Sequence, residues 1–317
     1  MELGYWLSSE EHPPGDLVRF AQQAEAAGFS FALISDHYHP WLSRQGHAPF
    51  VWSVVGAIAQ ATGRLRLGTG VTCPLLRLHP AIVAQAAATA AAMMPGRFFL
   101  GVGSGENLNE HIVGEGWPVV EVRQQMLAEA IAVIRRLWQG EPVTHEGTHY
   151  AVEDARLFTL PEEPPPLFVA AAGTGSAELA GRLGDGLISV GPNEAVVEAF
   201  AGAGGSGKPR IAKVAVCWAE DEATAQRIVT RIWPLPALPG ALMPDLHTAE
   251  RFEQAVRLAS AEEVTAGFGA LGPNPAAHLA AIREVAEAGF EQVVVHQVGP
   301  DQAGFFNFYR QEVLPRL

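Results

Sequence analysis

Eight apolar runs of strand length alternate with longer amphipathic segments along the chain. The runs are LGYWL at Leu3, FALIS at Phe31, LRLGTGV at Leu65, FFLGVG at Phe98, LFVAAAG at Leu167, GLISV at Gly186, IAKVAVCW at Ile211 and QVVVHQ at Gln292. They are nearly continuous in Val, Ile, Leu and Phe, which is typical of parallel strands that helices cover on both faces. The segments between them, such as GDLVRFAQQAEAAGF, place apolar residues three or four positions apart and often end in Gly, as helices do. The pattern predicts eight parallel strands joined by helices.

Eight strand and helix units predict a closed (β/α)₈ TIM barrel formed as one domain over residues 1–317. Such a barrel needs roughly 250 residues, so the remainder must form insertions. We expect these approximately at 139–166 and 218–276. A doubly wound open sheet is the alternative, but it would favour a Gly-rich turn after the first strand for a dinucleotide. The sequence there, LSSEEHPPGD, is not such a turn.

Composition and charge narrow the class of protein. Hydrophobic residues make up 48% and charged residues 17%, which suits a large core and argues against long disordered segments. The formal net charge of -13, without any cluster of Lys and Arg, argues against a nucleic-acid partner. Two cysteines cannot build a disulfide framework, the N-terminal segment does not look like a signal peptide, and the longest apolar stretch is too short for a bilayer. We therefore expect a cytoplasmic protein with no membrane partner.

The stretch LISDHYHPWLSRQGHAPF places titratable and aromatic side chains directly after the second strand. In a TIM barrel the active site lies at the carboxyl ends of the strands, so these residues should face the mouth. His37 is equally consistent with a general base oriented by Asp36 and with a histidine that only makes structural hydrogen bonds. The neighbouring Trp41, which can stack on a planar ligand, favours the functional interpretation. We expect His39 and His47 to be structural.

Two further stretches follow the third and fourth strands. GVGSGENLNEH places Glu106 two strands from His37, so the two side chains can face each other across one mouth; we expect Glu110 to be solvated. GTGVTCPLL indicates either a backbone that a ligand approaches closely or an ordinary bend. Cys73 has no basic neighbour that would lower its pKa, which argues against a nucleophilic role.

A possible anion site follows the fifth strand, in AAAGTGSAELAGRLGDG. The backbone N–H groups of Gly173, Thr174, Gly175 and Ser176 can cradle an anion at the start of a helix. TIM barrels more often bind phosphate after the seventh and eighth strands, where this chain offers little. Acidic and sulfur ligands at metal-site spacing are missing, so we predict no metal.

With these motifs in view, the chain resembles the luciferase-like flavin and deazaflavin oxidoreductases, in the branch that contains coenzyme F420-dependent glucose-6-phosphate dehydrogenase. The resemblance rests on SDHYHPW, QGHAPF, LGTGVTCP, HPAIVAQAAAT, FFLGVGSGENLNE, AGRLGDG and FYRQEVLPRL, spread over nearly the whole chain. It implies that coenzyme F420, a deazaflavin, lies across the barrel mouth. It also implies a non-prolyl cis peptide between Gly70 and Val71, in a bulge after the third strand.

The resemblance further implies roles for individual residues. His37 would take the hydroxyl proton, Glu106 would handle the proton at the deazaflavin ring, Trp41 would shield the reacting centre, and Asp36 would touch the cofactor. The other positions implied to bind the ring and its phosphate-bearing tail are Gly70, Val71, Cys73, Ser104, Gly105, Asn109, Ala172, Gly173, Gly175 and Ser176.

The sequence departs from the sugar-phosphate members of this branch, which hold the substrate phosphate with two lysines and an arginine. Asn193 and Gly267 align with two of those positions, and WPLPALPGALMPDLH occupies the region of the remaining lysine. A phosphate dianion would lack its charged partners, so we expect the substrate not to be glucose 6-phosphate. Residues 233–246 should form an apolar lid over the mouth; the alternative is that they pack on the outside of the barrel or against a dimer partner. Efficient oxidation of glucose 6-phosphate would indicate that a cation such as Arg251 or Arg257 completes a phosphate site.

These features predict an F420-dependent dehydrogenase, or a reductase running in reverse, that acts on the hydroxyl group of an alcohol or sugar-like small molecule. The alternatives are an FMN-dependent luciferase-like monooxygenase and a non-catalytic barrel that binds the deazaflavin. The resemblance also implies a homodimer, because members of this family are commonly homodimers. The Ala-rich helix at 81–94 agrees with that, since it offers an apolar patch that a monomer rarely exposes. The alternative for that helix is burial within the chain's own helical ring.

Overall fold

A computed structural model describes all 317 residues of the chain. Its strands are β1 (Glu2–Leu7), β2 (Phe31–Ile34), β3 (Arg66–Thr69), β4 (Phe98–Val102), β5 (Val143–Glu146), β6 (Ala151–Ala155), β7 (Leu167–Ala170), β8 (Gly186–Val190), β9 (Arg210–Cys217), β10 (Ala270–Leu271) and β11 (Gln292–Gln297). Its α-helices are α1 (Pro14–Ala27), α2 (Val51–Ala61), α3 (Pro80–Met93), α4 (Asn107–Glu110), α5 (Val120–Leu137), α6 (Thr174–Leu183), α7 (Glu194–Phe200), α8 (Glu222–Ile232), α9 (Ala249–Val256), α10 (Ala261–Ala266), α11 (Pro275–Glu287) and α12 (Gln302–Phe308).

Eight parallel strands close into a barrel. Their order is β1, β2, β3, β4, β7, β8, β9 and β11, and β11 pairs with β1 to complete the ring. Each of the eight predicted apolar runs supplies one of these strands. The predicted TIM-barrel fold is therefore confirmed.

Two connections carry additional structure. The one between α5 and β7 contains β5 and β6, which form an antiparallel hairpin. The one between β9 and α11 contains α8, α9, α10 and β10, of which β10 extends the sheet beside β9. Both fall inside the ranges predicted to hold insertions, although the sequence pattern did not predict the hairpin.

Aromatic rings fill the lower part of the barrel lumen by lying over glycines of the neighbouring strand. The register pairs Gly4 with Phe31, Gly68 with Phe99, and Gly186 with Phe168. A Cβ atom on these glycines would lie 2.4, 2.2 and 2.3 Å from the facing ring, so no larger residue fits there without a shift. Because the amino ends of the strands enclose a packed core, a ligand can enter only at their carboxyl ends.

Helix α3 is the Ala-rich segment predicted to offer an apolar surface. Its alanines are mostly buried against the chain's own barrel and neighbouring helices, including Ala84, Ala87, Ala88 and Ala91. The prediction of an exposed alanine patch is therefore wrong, because small side chains let this helix pack closely between its neighbours. None of the helices combines the length and apolarity that crossing a bilayer demands.

Candidate active site

His37 lies in the barrel mouth, between a carboxylate, an amide and an indole ring. Its Nε2 atom is 3.3 Å from Oε1 of Glu10, and its ring centroid is 4.9 Å from that of Trp41. Its Nδ1 atom is 3.1 Å from the His39 carbonyl oxygen and 3.3 Å from Nδ2 of Asn109. The imidazole is buried, so these groups, and not bulk water, control its protons.

Asn109 joins the two residues that the sequence predicted to be catalytic. Its Nδ2 group lies 3.3 Å from His37 Nδ1 and donates to Oε2 of Glu106, also at 3.3 Å. Its Oδ1 atom accepts hydrogen bonds from the backbone N–H groups of Tyr38 and His39, at 2.9 and 3.2 Å. The amide therefore holds the end of β2 and the start of α4 at a fixed separation, with His37 and Glu106 on one network.

The partners of His37 suit two protonation states. In the neutral ring, Nδ1 can accept from Asn109 while Nε2–H donates to Glu10, or Nδ1–H can donate to the His39 carbonyl while Nε2 keeps a free lone pair. In the protonated ring, both nitrogens donate, to His39 and Glu10. Loss of the Nδ1 proton exchanges the hydrogen bond to the His39 carbonyl for one from Asn109, whereas loss of the Nε2 proton gives up the hydrogen bond to Glu10.

Glu10 is a site residue that the motif analysis missed. It is buried, and its Oε2 atom accepts from the hydroxyl groups of Ser35 at 2.6 Å and Ser8 at 3.1 Å. Burial alone would raise the pKa of this carboxyl group, but His37 and the Ser35 hydrogen bond outweigh burial and lower the pKa below its usual value. A carboxylate is thus maintained beside the imidazole. The signal was available, because Glu10 follows the carboxyl end of β1.

Asp36 anchors the loop after β3. One carboxylate oxygen pairs with the buried Arg77 guanidinium at 2.8 Å, and the other accepts from the Thr72 hydroxyl at 2.7 Å. The Gly70–Val71 peptide bond in this loop is cis, as the resemblance implied. Both oxygens of Asp36 are thus engaged by the protein beside the bulge.

Glu110 is fully buried, so the prediction that it is solvated is wrong. Its Oε2 atom accepts from the backbone N–H groups of Leu76 and Arg77 at 3.2 and 2.9 Å, and its other oxygen lies 3.6 Å from Nε of Arg77. Burial raises its pKa despite these contacts. The carboxylate supports the loop after β3, a long-range contact that local sequence does not reveal.

The glycines of GVGSG are required by close packing against that loop. A Cβ atom on Gly101 would lie 2.0 Å from the Thr69 carbonyl oxygen, and one on Gly103 would lie 2.7 Å from Cγ2 of Val71. Gly105 has a positive φ of 74° and approaches Cys73 Sγ, where an added Cβ would be only 2.5 Å away. Burial raises the pKa of the Cys73 thiol well above its usual value, which agrees with the prediction that it is not a nucleophile.

The predicted cofactor positions fall into a buried group and an open group. Asp36, Cys73 and Asn109 are buried, whereas Gly70, Val71, Ser104 and Gly105 are half-buried around the mouth. Residues 172–175 are exposed at the start of α6, whose first turn carries no acidic residue. No protein atom lies within 4 Å of a Cβ built on Gly173, so its backbone is open to a ligand. The Gly173 N–H donates to Ser176 Oγ at 3.4 Å, and an exposed helix N-terminus of this kind suits the phosphate of a deazaflavin tail.

Lys213 reaches the mouth from β9, and the motif analysis missed it too. Its Nζ atom lies 4.4 Å from the ring centroid of Trp6 and 5.4 Å from that of Trp233, a cation–π arrangement. Burial lowers its pKa, while Glu10, Glu11 and Glu106 act in the opposite direction. A lysine in the middle of an otherwise apolar strand was the signal for this residue.

Glu11 and His296 form a second buried carboxylate–histidine pair beside the first. Oε1 of Glu11 is 2.8 Å from Nε2 of His296. Burial raises the pKa of Glu11 to about 7, and burial together with Lys213 holds the pKa of His296 well below its usual value. The pair therefore carries little net charge in the floor of the mouth below pH 7.

Residues 233–246, the predicted lid, contact the mouth at both ends. The Trp233 ring meets the His296 ring edge-on at 4.6 Å. The backbone carbonyls of Pro244 and Asp245 accept from the main-chain and side-chain amides of Asn107, at 2.9 and 3.2 Å. Within the segment, Trp233, Leu235 and Leu238 are buried in one apolar cluster with Trp41 and Leu108.

The positions that align with the phosphate-binding residues of the sugar-phosphate branch have other structural roles in this chain. Asn193 caps α7 by accepting from Val196 N–H at 3.2 Å. Gly267 packs so closely on Pro236 that an added Cβ would lie 2.2 Å from it. Arg251 and Arg257 are exposed on or next to α9. Lys213 brings an ammonium group to the mouth from β9.

The chain is similar to known proteins along nearly its whole length. The family model described as luciferase-like monooxygenase matches residues 1–292. The chain is 39% identical to an F420-dependent glucose-6-phosphate dehydrogenase of Beutenbergia cavernae, covering 100% of this chain and 97% of that protein. It is 38% identical to an F420-dependent hydroxymycolic acid dehydrogenase of Mycobacterium tuberculosis, over 99% and 88%.

Among solved structures, an F420-dependent secondary alcohol dehydrogenase in complex with an F420-acetone adduct superposes with a TM-score of 0.91. The two sequences are 28% identical over 99% of this chain and 98% of that one. Since the family match and the relatives span nearly the whole barrel, the chain belongs to the luciferase-like monooxygenase family.

Proposed function

We propose that this protein is an F420-dependent dehydrogenase that oxidises the hydroxyl group of a small molecule, or reduces the matching carbonyl. The observation that carries the proposal is the hydrogen-bonded link from His37 through Asn109 to Glu106 across one mouth. Simple binding of a cofactor needs neither a base nor an acid, so this link argues against a non-catalytic barrel. The similar proteins named above are all F420-dependent dehydrogenases.

The bound deazaflavin would supply the hydride acceptor at the mouth. Its ring would lie over the bulge of Gly70 and Val71, near Ser104 and Gly105, and its phosphate would meet the N–H groups at Gly173, Gly175 and Ser176. These positions fit because their backbone is open and the helix start carries no acidic side chain. Ala172, which directly precedes Gly173, is exposed as well.

The protein's own residues would handle the protons. His37 Nε2 would accept the substrate hydroxyl proton, and the Glu10 carboxylate at 3.3 Å would stabilise the imidazolium that forms. The His39 carbonyl would accept from Nδ1–H, which leaves the lone pair on Nε2. Glu106, held by Asn109, would exchange a proton on the cofactor side, while Trp41 and the cluster around it would exclude water.

The substrate would carry its hydroxyl group on a largely apolar skeleton. Residues 233–246 contribute Trp233, Leu235 and Leu238 to the wall that also contains Trp41. Burial of each additional methylene group there is worth about 0.8 kcal/mol. The phosphate positions of the sugar-phosphate branch are closed or used for capping, which argues against glucose 6-phosphate.

Cofactor titration separates this proposal from an FMN-dependent monooxygenase. Fluorescence quenching with oxidised F420 and with FMN, under the same conditions, should give tight saturable binding of F420 and weak binding of FMN. The reverse order of affinity would contradict the proposal. Turnover of a panel of alcohols with oxidised F420 then identifies the substrate class.

We also propose that the protein is a cytoplasmic homodimer. Both cysteines are free and buried, which suits a reducing compartment. Because the alanines of α3 are buried, the apolar surface that this helix offers to a dimer partner is limited to exposed side chains such as Ile82 and Met93. These are 53% and 38% exposed. Light scattering at micromolar concentration tests the assembly, and a monomeric mass would contradict it.

A further inference from the structure

We propose that Lys213 is a specificity-determining residue that binds a second oxygen atom of the hydroxyl substrate. This inference rests on the proposed function and adds to it. The position of Lys213 follows from strand geometry, because alternate residues of β9 face the lumen. Ile211 packs in the lumen cluster with Val294 of β11, so Lys213, two residues later, points inward above it, towards the mouth.

The ammonium group of Lys213 has no hydrogen bond and no ion pair within the protein. The groups that approach it are the faces of Trp6 and Trp233. The chain has only one other lysine, Lys208, and its ammonium donates to the carbonyl oxygens of Gly181 and Gly184 at 2.7 and 2.9 Å. Two of the three donors of Lys208 are thus engaged by the protein, whereas Lys213 keeps all three available at the mouth.

The surroundings of Lys213 suit a polar ligand atom on an apolar body. Nδ1 of His296 and Nε1 of Trp6 are buried in the same layer and have no protein partner. Buried polar groups normally find partners, so three unpaired polar groups in one layer point to atoms supplied from outside the protein. The two indole rings form apolar walls on either side of the ammonium.

The electrostatics favour a single oxygen acceptor over a phosphate. Glu10, Glu11 and Glu106 stabilise the positive charge of Lys213 without occupying its donors. One ammonium beside these carboxyl groups cannot balance a phosphate dianion, but it can donate to a hydroxyl, carbonyl or carboxylate oxygen. The substrate class that results is a hydroxyl compound whose otherwise apolar skeleton carries a second oxygen.

The test compares three secondary alcohols with the same five-carbon chain: 2-pentanol, which has no second oxygen, 2,4-pentanediol, which has a second hydroxyl, and 4-hydroxypentanoate, which has a carboxylate at the far end. Each is oxidised with F420 by the wild-type enzyme and by Lys213→Met, which keeps the length of the side chain but removes its charge. We expect kcat/KM for the oxygen-bearing substrates to fall by about 10- to 100-fold in the variant, the range expected when a charged hydrogen bond is lost. For 2-pentanol we expect a change below about threefold. If kcat/KM for the diol falls in Lys213→Met, a neutral oxygen is sufficient for binding to Lys213. If kcat/KM falls only for the hydroxycarboxylate, Lys213 requires an anionic oxygen.

Two variants serve as controls. Lys208→Met removes the other lysine near the amino end of β9 and should leave the ratio of the three efficiencies unchanged. Lys213→Arg keeps the charge and should retain part of the preference for the second oxygen. An equal loss with all three alcohols, or no loss with any, in Lys213→Met would overturn the inference.

A binding measurement separates failure of this inference from failure of the proposed function. If the wild type oxidises 2-pentanol with F420 but shows no dependence on Lys213, only the inference fails. If the wild type oxidises none of the three, the proposed function fails. Tryptophan fluorescence titration with 4-hydroxypentanoate then tests separately whether Lys213 binds this compound. An affinity that is the same in the wild type and in Lys213→Met would then overturn the inference as well.

Discussion

Under the proposed function, the His37 imidazole would receive the substrate proton on Nε2, beside the Glu10 carboxylate. We predict that His37→Ala lowers kcat by about 10²- to 10⁴-fold, the usual contribution of a positioned acid or base. The dissociation constant for F420, measured by fluorescence quenching, should stay within about threefold of wild type. His149→Ala, on the hairpin of β5 and β6, is the matched control and should change neither quantity. Unchanged turnover in His37→Ala would remove this residue from the mechanism.

Glu11 gives a prediction about stability and pH. Its pKa is raised from 4.5 to about 7 in the folded state, chiefly by burial, so between these values the folded protein binds more protons than the unfolded chain. The contribution of Glu11 to stability therefore falls as pH rises through this window and stays low above it. At about 1.4 kcal/mol for each pKa unit, the penalty above pH 7 is on the order of 3 kcal/mol.

Glu11→Gln removes this penalty, because an amide has no proton to lose. The difference in Tm between Glu11→Gln and wild type, measured by thermal unfolding, should become more positive from pH 5 to pH 8. Glu141→Gln, on an exposed residue, should give a difference that does not depend on pH. Parallel pH profiles of Glu11→Gln and wild type would contradict the assignment.

The loop between β3 and α3 and the glycines of β4 form one packed unit, on which the cofactor would lie. We predict that Gly101→Ala destabilises the protein by about 1–3 kcal/mol, as overpacking does. The added Cβ would meet the Thr69 carbonyl oxygen at 2.0 Å, and a backbone atom cannot turn away as a side chain can. Denaturant unfolding measures the loss, and F420 titration should show weaker binding because the bulge shifts.

Gly63→Ala is the matched control for Gly101→Ala. Its Cβ would have no neighbour within 4 Å and its φ is not positive, so its stability and F420 affinity should stay near wild type. If Gly101→Ala behaves like Gly63→Ala, the close packing of β4 on the loop does not shape the cofactor site.

The sequence predicted the elements of this molecule better than the contacts between distant side chains. Periodicity and apolar runs predicted all eight barrel strands, and the motifs predicted the family and the F420-dependent dehydrogenase class, which the comparisons confirm. The burial of Glu110 was not predictable, because it depends on N–H groups more than thirty positions away. Glu10 and Glu11 follow the carboxyl end of β1 and Lys213 lies in the middle of β9, and none of the three belongs to a motif that marks a site.

The net charge of the whole molecule and the charged groups in its mouth both disfavour a dianionic substrate. A formal charge of -13 repels a dianion at long range, and at short range Lys213 is one cation beside Glu10, Glu11 and Glu106. The proteins similar to this one include dehydrogenases named for glucose 6-phosphate and one named for hydroxymycolic acid, so a sugar phosphate and an apolar alcohol must be compared as substrates.

We predict that an apolar alcohol is oxidised with higher kcat/KM than glucose 6-phosphate when both are measured with F420 at the same pH and ionic strength. Asn193 is committed to capping α7, and the contact of Gly267 with Pro236 leaves no room for a lysine there. A phosphate would thus lose several charge-assisted hydrogen bonds, each worth about 1.5–3 kcal/mol. Raising the salt concentration screens the repulsion from the net charge and should narrow the difference only slightly, because the missing partners are local. Efficient and saturable oxidation of glucose 6-phosphate would instead mean that residues 233–246 open to bring an exposed arginine such as Arg251 into the mouth.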